Sequence, residues 1–450
     1  MSSEVDPVGR LMAELSERQI EYLRFELPDL HGVSRSKTVP VDKVEGYARH
    51  GLNFYGGVLG LDTASNVVPG SRLHTERNYA DQNLFPDPDS LRVLPWLEHT
   101  ASVLCLGYWD GGEPQRAAPR WVFSELVKKA NALGYDVMLG HEYEYYLLDA
   151  QSLDTPARGR MFEGLHIFNT VRNHWAPFLD TLVPTLRAYG IDIVTHNTEY
   201  AGSQFETVYG PGMNLAGADK AFAFKNGLKE LAHRNGLIAS FMAKPFAGMA
   251  GSGCHLHLSL WDRKTGRNAF MDAEAAAGFS DLAGHFIEGV LAHGAAMMPL
   301  INPTPNCYHR VKPHTFAPSN ISWGVQDRSA MVRVKATGDE RTHIEMRGGS
   351  AASNPYLLAS AVLAAGLLGL EAKAPLREQG RETTSEDNPD LTPFPQSLPL
   401  ALDALEADDD LRVILGEEFV EVFTAVKRFE LARFAAHVTD WETNEYLELY

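Results

Sequence analysis

The sequence predicts an α+β fold in two domains, a small one built on a sheet (residues 1–112) and a large one of interleaved helices and strands (residues 113–450). Three observations carry this reading. Up to Gly112, short β-like runs such as YLRFEL and SVLCLGYW alternate with Gly- and Pro-containing turns. WDGGEPQRAAPR then makes a turn-rich joint. From Trp121 the texture changes to helical runs such as WVFSELVKKANALG, separated by strands whose polar residues recur two apart.

The 450 residues are 44 % hydrophobic and 22 % charged, enough apolar material for a large core. A formal net charge of −18 argues against a broad grip on nucleic acid, so any phosphate-bearing ligand must meet cations concentrated locally. Cys105, Cys254 and Cys307 show no CxxC spacing, which disfavours a disulfide framework or a thiolate zinc site and fits a reducing cytoplasm. The opening MSSEVDPVGRLMAELSERQIEYLRF mixes charges into a helical pattern and lacks the uninterrupted apolar core of a signal peptide, so mature protein is expected from the start. LLASAVLAAGLLGLEA, residues 357–372, falls short of the ~20 residues of a membrane span and is expected to be a buried helix rather than a membrane anchor. Residues 378–399 are polar, Pro-bearing and non-periodic, hence a long surface loop, and the tail from Leu400 returns to helix.

Several strands carry chemistry on one face. In GHEYEYYLLD, Glu142 and Glu144 stand two apart and therefore point together. GSGCHLHLSLW sets His255, His257 and Ser259 on one face and Cys254, Leu256, Leu258 and Leu260 on the other. THIEMRGGS repeats the spacing with Glu345 and Arg347, and THNTEYAGSQFETVYGPG adds Glu199 and Glu206 across a Gly-containing turn. Taken singly, these are equally a solvent-facing pair, two satisfied histidines or a structural ion pair. Together they supply five glutamates and an imidazole, a donor set suited to the hard cations Mg²⁺ or Mn²⁺ rather than zinc. Arg310, Arg328 and Arg333 fall in the same third of the chain and point to an anionic, phosphorylated substrate. No GxxxxGK[ST] loop and no kinase motif set is present. The residues thus describe metal-dependent phosphoryl transfer from ATP on a scaffold outside the common nucleotide folds.

In their order, GHEYEYYLL, HNTEYAGSQFE, ASFMAKPFAGMAGSGCHLHLSL, the Arg310 segment, DRSAMVRV and HIEMRGGSAASNPYL resemble the glutamine synthetase superfamily over essentially the whole chain. The resemblance implies an N-terminal β-grasp domain, a catalytic domain whose curved antiparallel strands line a funnel, and a homo-oligomer, commonly a dodecamer of two hexameric rings, with each active site between two subunits. It also implies a first metal site of Glu144, Glu199 and Glu206 and a second of Glu142, His255 and Glu345, holding two or three Mg²⁺ or Mn²⁺ ions. His257, Ser259, Arg328 and Arg333 would contact ATP. Glu144, Gly251, Arg310 and Arg347 would hold L-glutamate, with Arg310, Arg328, Arg347 and Phe316 forming the catalytic set.

Three departures from the family pattern concern glutamate and the nitrogen nucleophile. Phe316 stands where glutamine synthetases carry a flap glutamate that handles ammonium. An N-terminal aspartate of the family aligns near Gly56, with Asp62 a candidate to compensate, so that Phe316, Gly56 and Asp62 would form the amine pocket. Ala250 replaces an asparagine near the glutamate backbone, and NPDLTPFPQSLP lacks the loop tyrosine that some bacterial members adenylylate. The pattern resembles the γ-glutamylamide synthetases, ligases that join glutamate to an amine, and the expected amine is apolar or aromatic. The alternatives are a γ-glutamylpolyamine or ethanolamine synthetase, a true glutamine synthetase using ammonium, and a non-catalytic structural member.

Overall fold

Two sheets organise the computed structural model, which describes residues 6–163, 167–378 and 388–450. The first contains β1 (Tyr22–Pro28), β2 (Ser34–Pro40), β3 (Leu52–Tyr55), β4 (Asp81–Pro86), β5 (Arg92–Val93) and β6 (Thr100–Trp109), in the order β2-β1-β6-β4-β3 with β5 beside β6. YLRFEL and SVLCLGYW therefore become β1 and β6, the central pair, which run parallel while the other neighbours are antiparallel. Leu23, Phe25 and Leu27 alternate into the core, and helix Pro7–Glu17 adds Leu11 and Leu15 to the same buried face. The chain then turns through residues 110–118 into helix Pro119–Ala132.

The second sheet contains β7 (Tyr135–Asp149), β8 (Ile193–Thr198), β9 (Gln204–Tyr209), β10 (Gly212–Met213), β11 (Leu237–Ser240), β12 (Cys254–Asp262), β13 (Trp323–Val325), β14 (Val332–Lys335) and β15 (His343–Met346). Its order is β13-β14-β15-β12-β7-β9-β8, with β10 and β11 also on β7. β7 is its spine, pairing with β12 along residues 135–143, with β9 along 142–146 and with β11 along 146–149. The right-handed twist of its strands curls the sheet. The strands of this sheet are antiparallel except at one edge, where β13 and β14 run parallel over three residue pairs. So short a pairing lets the 326–331 loop carry the chain back without a helical crossover.

The apolar run of residues 357–372 lies in helix Pro355–Ala372, long and apolar enough to cross a membrane but 78 % buried inside the fold. Its start was written in the sequence: the Asn354 side chain accepts from the Tyr356 and Leu357 amides at 2.9 and 3.4 Å, and Pro355 occupies the first turn. Residues 379–387 of the predicted 378–399 loop lie outside the described residues. Of the remainder, Pro393 bridges to Asn320, and helices resume at Leu398 and continue to Tyr446. The first sheet is fastened to the rest of the chain by Arg120, which bonds Asp87 at 2.6 Å and Asp219 at 2.8 Å, and by Asn354 Nδ2 donating to Asp29 O at 2.8 Å.

Candidate active site

Register assembles the site. β12 sets His255 opposite Glu142, β9 sets Glu206 opposite Glu144, β15 sets Glu345 opposite His257, and β14 sets Arg333 opposite Glu345. Directly opposed residues project from the same face, so five strands, β7 among them, deliver their polar side chains to one side of the sheet. Glu199 follows β8 in the turn to β9, its amide bonded to Gln204 O at 2.9 Å. Above these residues lies a cleft of about 770 Å³.

The carboxylates divide into two electrostatic groups. Burial, and then the charges of Glu142, Glu144 and Glu199, push the Glu206 carboxyl up to about 9. Burial and Glu144 push Glu199 up to about 7. At the other end burial acts the same way on Glu142 and Glu345 but is outweighed by imidazoles. His255 and His257 hold Glu142 well below the usual carboxylate range, and together with Arg347 and Lys335 they hold Glu345 at about 2. His255 Nδ1 is 2.9 Å from Glu142 Oε1 and 3.7 Å from Glu345 Oε1, and His257 Nε2 is 3.4 Å from Glu142 Oε2.

Carboxylates crowded in this way cannot all remain ionised without added positive charge, and oxygen donors with one or two imidazoles are the ligands of a hard divalent ion. The donor set fits such ions. Ligand atoms of Glu142, His257 and Glu345 all lie within 4.8 Å of one another. The tightest trio thus uses His257, where the resemblance uses His255; both imidazoles bracket Glu142.

Glycines admit the cations. A Cβ on Gly253 would stand 2.4 Å from Arg310 Nη2, and one on Gly251 would stand 2.7 Å from Ala243 O and 2.9 Å from Arg310 Cγ. The GSG run is therefore what lets the buried Arg310 guanidinium, anchored to Gly349 O at 3.0 Å, lie against the site. Gly253 N in turn fixes Glu144 Oε2 at 2.7 Å. Arg347 pairs with Glu345 and donates from Nε to Arg328 O at 2.9 Å. Arg333 Nη1 bonds Glu345 Oε2 at 3.0 Å, while its Nε is buried without a partner among the described residues, a donor placed for an oxyanion.

Residues 116–446 match the catalytic domain of glutamine synthetase. The chain belongs to the glutamine synthetase family. It is 30 % identical to rat (Rattus norvegicus) lengsin over 97 % of this chain and 77 % of the relative. It is 31 % identical to the glutamine synthetase of Thermotoga maritima (97 % and 98 % covered) and 30 % identical to a glutamate–isopropylamine ligase from a Pseudomonas species (97 % and 96 % covered). A solved complex of GmaS with ADP superposes with a TM-score of 0.85 at 29 % identity, covering 97 % of this chain and 99 % of that one. The protein is an ATP-dependent ligase of the glutamine synthetase type, a family that works with ATP and divalent metal ions.

Within this glutamine synthetase family chain, the ten residues Glu142, Glu144, Glu199, Glu206, Gly251, His255, Arg310, Arg328, Arg333 and Glu345 line one cleft, joined by Arg347 and Phe316. His257 and Ser259 do not line it, and the Ser259 hydroxyl instead accepts from Trp261 Nε1 at 3.0 Å. Gly56 and Asp62 are also absent from the cleft. Gly56 packs beneath Trp109, where a Cβ would come within 2.3 Å of the indole. Asp62 is fully buried, accepts from the Ala64 and Asn66 amides at 2.9 and 2.8 Å, and pairs with Arg433. Its oxygens are already spoken for inside the fold.

Sequence reasoning missed the aromatic company of Phe316. The Phe316 ring is 73 % exposed at the cleft and stacks on Tyr200, with Phe168 lining the same opening. Tyr200 follows Glu199 directly in NTEYAG, so an aromatic residue adjoining a candidate ligand was the available signal.

Proposed function

We propose that this ligase is a γ-glutamylamide synthetase whose amine is apolar or aromatic. The γ-carboxylate oxygen of L-glutamate attacks the γ-phosphorus of ATP, and the bond to ADP breaks to leave γ-glutamyl phosphate. The nitrogen of a primary amine then attacks the acyl carbon, phosphate departs, and the nitrogen loses a proton to give the γ-glutamylamide. Arg310 takes the α-carboxylate of glutamate, Arg347 faces the γ-carboxylate, and Arg328 and Arg333 neutralise phosphate charge. Divalent ions, held by Glu144, Glu199 and Glu206 and by Glu142, His255 and Glu345, would neutralise the charge of the transferring phosphoryl group.

One observation carries the choice of amine. At the position where the family resemblance expects an ammonium-handling carboxylate, the chain presents the exposed Phe316 ring, stacked on Tyr200. Desolvating a small cation against two rings with no paired carboxylate is costly, whereas an apolar body gains by the same contact. An aromatic amine is already neutral at pH 7, while an alkylamine with a pKa like that of Lys, ~10, must first lose a proton. The three buried, unpaired cysteines support a reducing cytoplasm as the setting. A ring-stacked homo-oligomer, with a neighbour's N-terminal domain closing the cleft, is the assembly we propose with it.

The test is ATP- and glutamate-dependent phosphate release with Mg²⁺ across ammonium, putrescine, ethanolamine, isopropylamine and aniline, with product masses checked. Isopropylamine or aniline should exceed ammonium decisively. Turnover with ammonium alone would make the protein a glutamine synthetase and remove this reading.

A further inference from the structure

We propose that a second site, for a small organic acid with a hydrocarbon body, lies where Lys225, Lys229 and His233 face a cleft of about 560 Å³. This cleft shares no lining residue with the active-site cleft. Lys225, Lys229 and His233 stand at i, i+4 and i+8 of helix Leu215–Arg234 and so occupy one face of it, with His31 also lining the cleft. Its other wall is strand β11 and the segment after it, including Leu237, Phe241 and Met242.

The charges on this face are unbalanced. Lys225 is buried and donates from Nζ to Ala351 O and Ser353 O, both at 2.8 Å, which uses two of the three donors an ammonium carries. Lys229 is half-buried, lies 5.8 Å over the Phe241 ring, and makes no hydrogen bond or ion pair among the described residues. Nor does any Asp or Glu line the cleft among the described residues. Asp29, the acid that acts on Lys229 from a distance, is itself held by Arg35 at 2.8 Å. Burial and then the neighbouring Lys229 pull Lys225 down to about 7, and burial lowers Lys229 as well. Two partly desolvated ammonium groups without a counter-charge are stabilised by an anion, and a carboxylate supplies one with two acceptor oxygens. The apolar wall beyond them, on which Ile238 and Met242 are 37 % and 46 % exposed, selects an acid with a hydrocarbon body over a bare oxyanion.

The probe is hexanoate, titrated calorimetrically into the full-length protein with L-glutamate and ADP present at saturation to occupy the active site. One hexanoate should bind per chain. Lys229→Met, which keeps the stem and removes the charge, should weaken it by about tenfold or more, corresponding to ~1.4 kcal/mol. Lys229→Arg should retain binding, and this conservative variant guards against a folding defect in the first, as does an unchanged melting temperature. Equal affinity in wild type and Lys229→Met, or no saturable binding to wild type, would overturn the site. Displacement of hexanoate by equimolar inorganic phosphate would overturn the assignment to an organic acid.

Discussion

Phe316 and Tyr200 lie face to face, their ring centroids 4.8 Å apart and their planes 16° from parallel, across the opening of a cleft whose floor is carboxylate. Phe316 adopts a left-handed backbone, φ +60°, so the chain accepts strain that a bulky residue normally avoids in order to hold the ring there. Phe316→Glu should cut kcat/KM for the preferred amine by more than about tenfold while glutamate-dependent ADP formation falls less. Tyr200→Ala should narrow the preference for that amine over ammonium by about threefold to tenfold, the scale of one aromatic pair. Steady-state kinetics with paired amines check both; unchanged preference in both variants would detach the stack from amine choice.

Loss of a carboxylate from the floor should act on every amine alike. Glu206→Ala and His255→Ala are expected to lower turnover by at least about a hundredfold with any amine, and to weaken Mn²⁺ binding in a calorimetric titration. Chelation of wild type should abolish activity reversibly and lower the melting temperature, because the crowded acids lose the charge that opposes their repulsion. Near-normal turnover in either variant would remove that residue from the metal set.

The distance between what was legible and what was not follows from how the site is made. ExE at Glu142 and Glu144 and HxH at His255 and His257 are local, period-two patterns, and helix Pro355–Ala372 announces itself through Asn354-Pro355 and an apolar run. Which residue faces which is not local. The opposition of Glu206 to Glu144, and of Glu345 to both His257 and Arg333, is set by pairing between strands far apart in the chain; the family resemblance grouped Glu206 with Glu144 but left His257 and Arg333 apart from Glu345. Partners are equally hidden: a carboxylate in the sequence does not reveal that Asn66 and Arg433 bond Asp62. Tyr200 was passed over because its partner sits 116 positions later, on a left-handed residue that no pattern signals.

Gly253 offers a test of the arginine frame that replaces no metal residue, although its new Cβ would also lie 3.2 Å from His255 Nε2. An alanine Cβ would meet Arg310 Nη2 at 2.4 Å and Cζ at 3.1 Å, so the guanidinium must move. Gly253→Ala should raise KM for glutamate by about tenfold or more and weaken Mn²⁺ binding by less than His255→Ala does. An unchanged KM would show that Arg310 does not hold the substrate carboxylate.

Stability should also depend on pH through Glu26, in the first sheet. Its buried carboxyl is pushed up to about 7, chiefly by burial and further by Glu230, against the opposing pull of Arg24 at 3.4 Å. That arginine is shared, because it also pairs with Glu230, which in turn accepts from Trp96 Nε1 at 2.9 Å. The folded chain therefore keeps a proton on Glu26 that the unfolded chain releases near 4.5. The corresponding stability is whole below about 4.5, declines as pH rises towards 7, and is gone above it, a difference on the order of 3 kcal/mol. Urea midpoints should accordingly fall between pH 5 and pH 8, and Glu26→Gln, which keeps a neutral side chain of the same shape, should flatten that fall and be the more stable protein at pH 8. An identical pH slope in the two proteins would mean that Glu26 is ionised in the fold and that Arg24 serves it rather than Glu230.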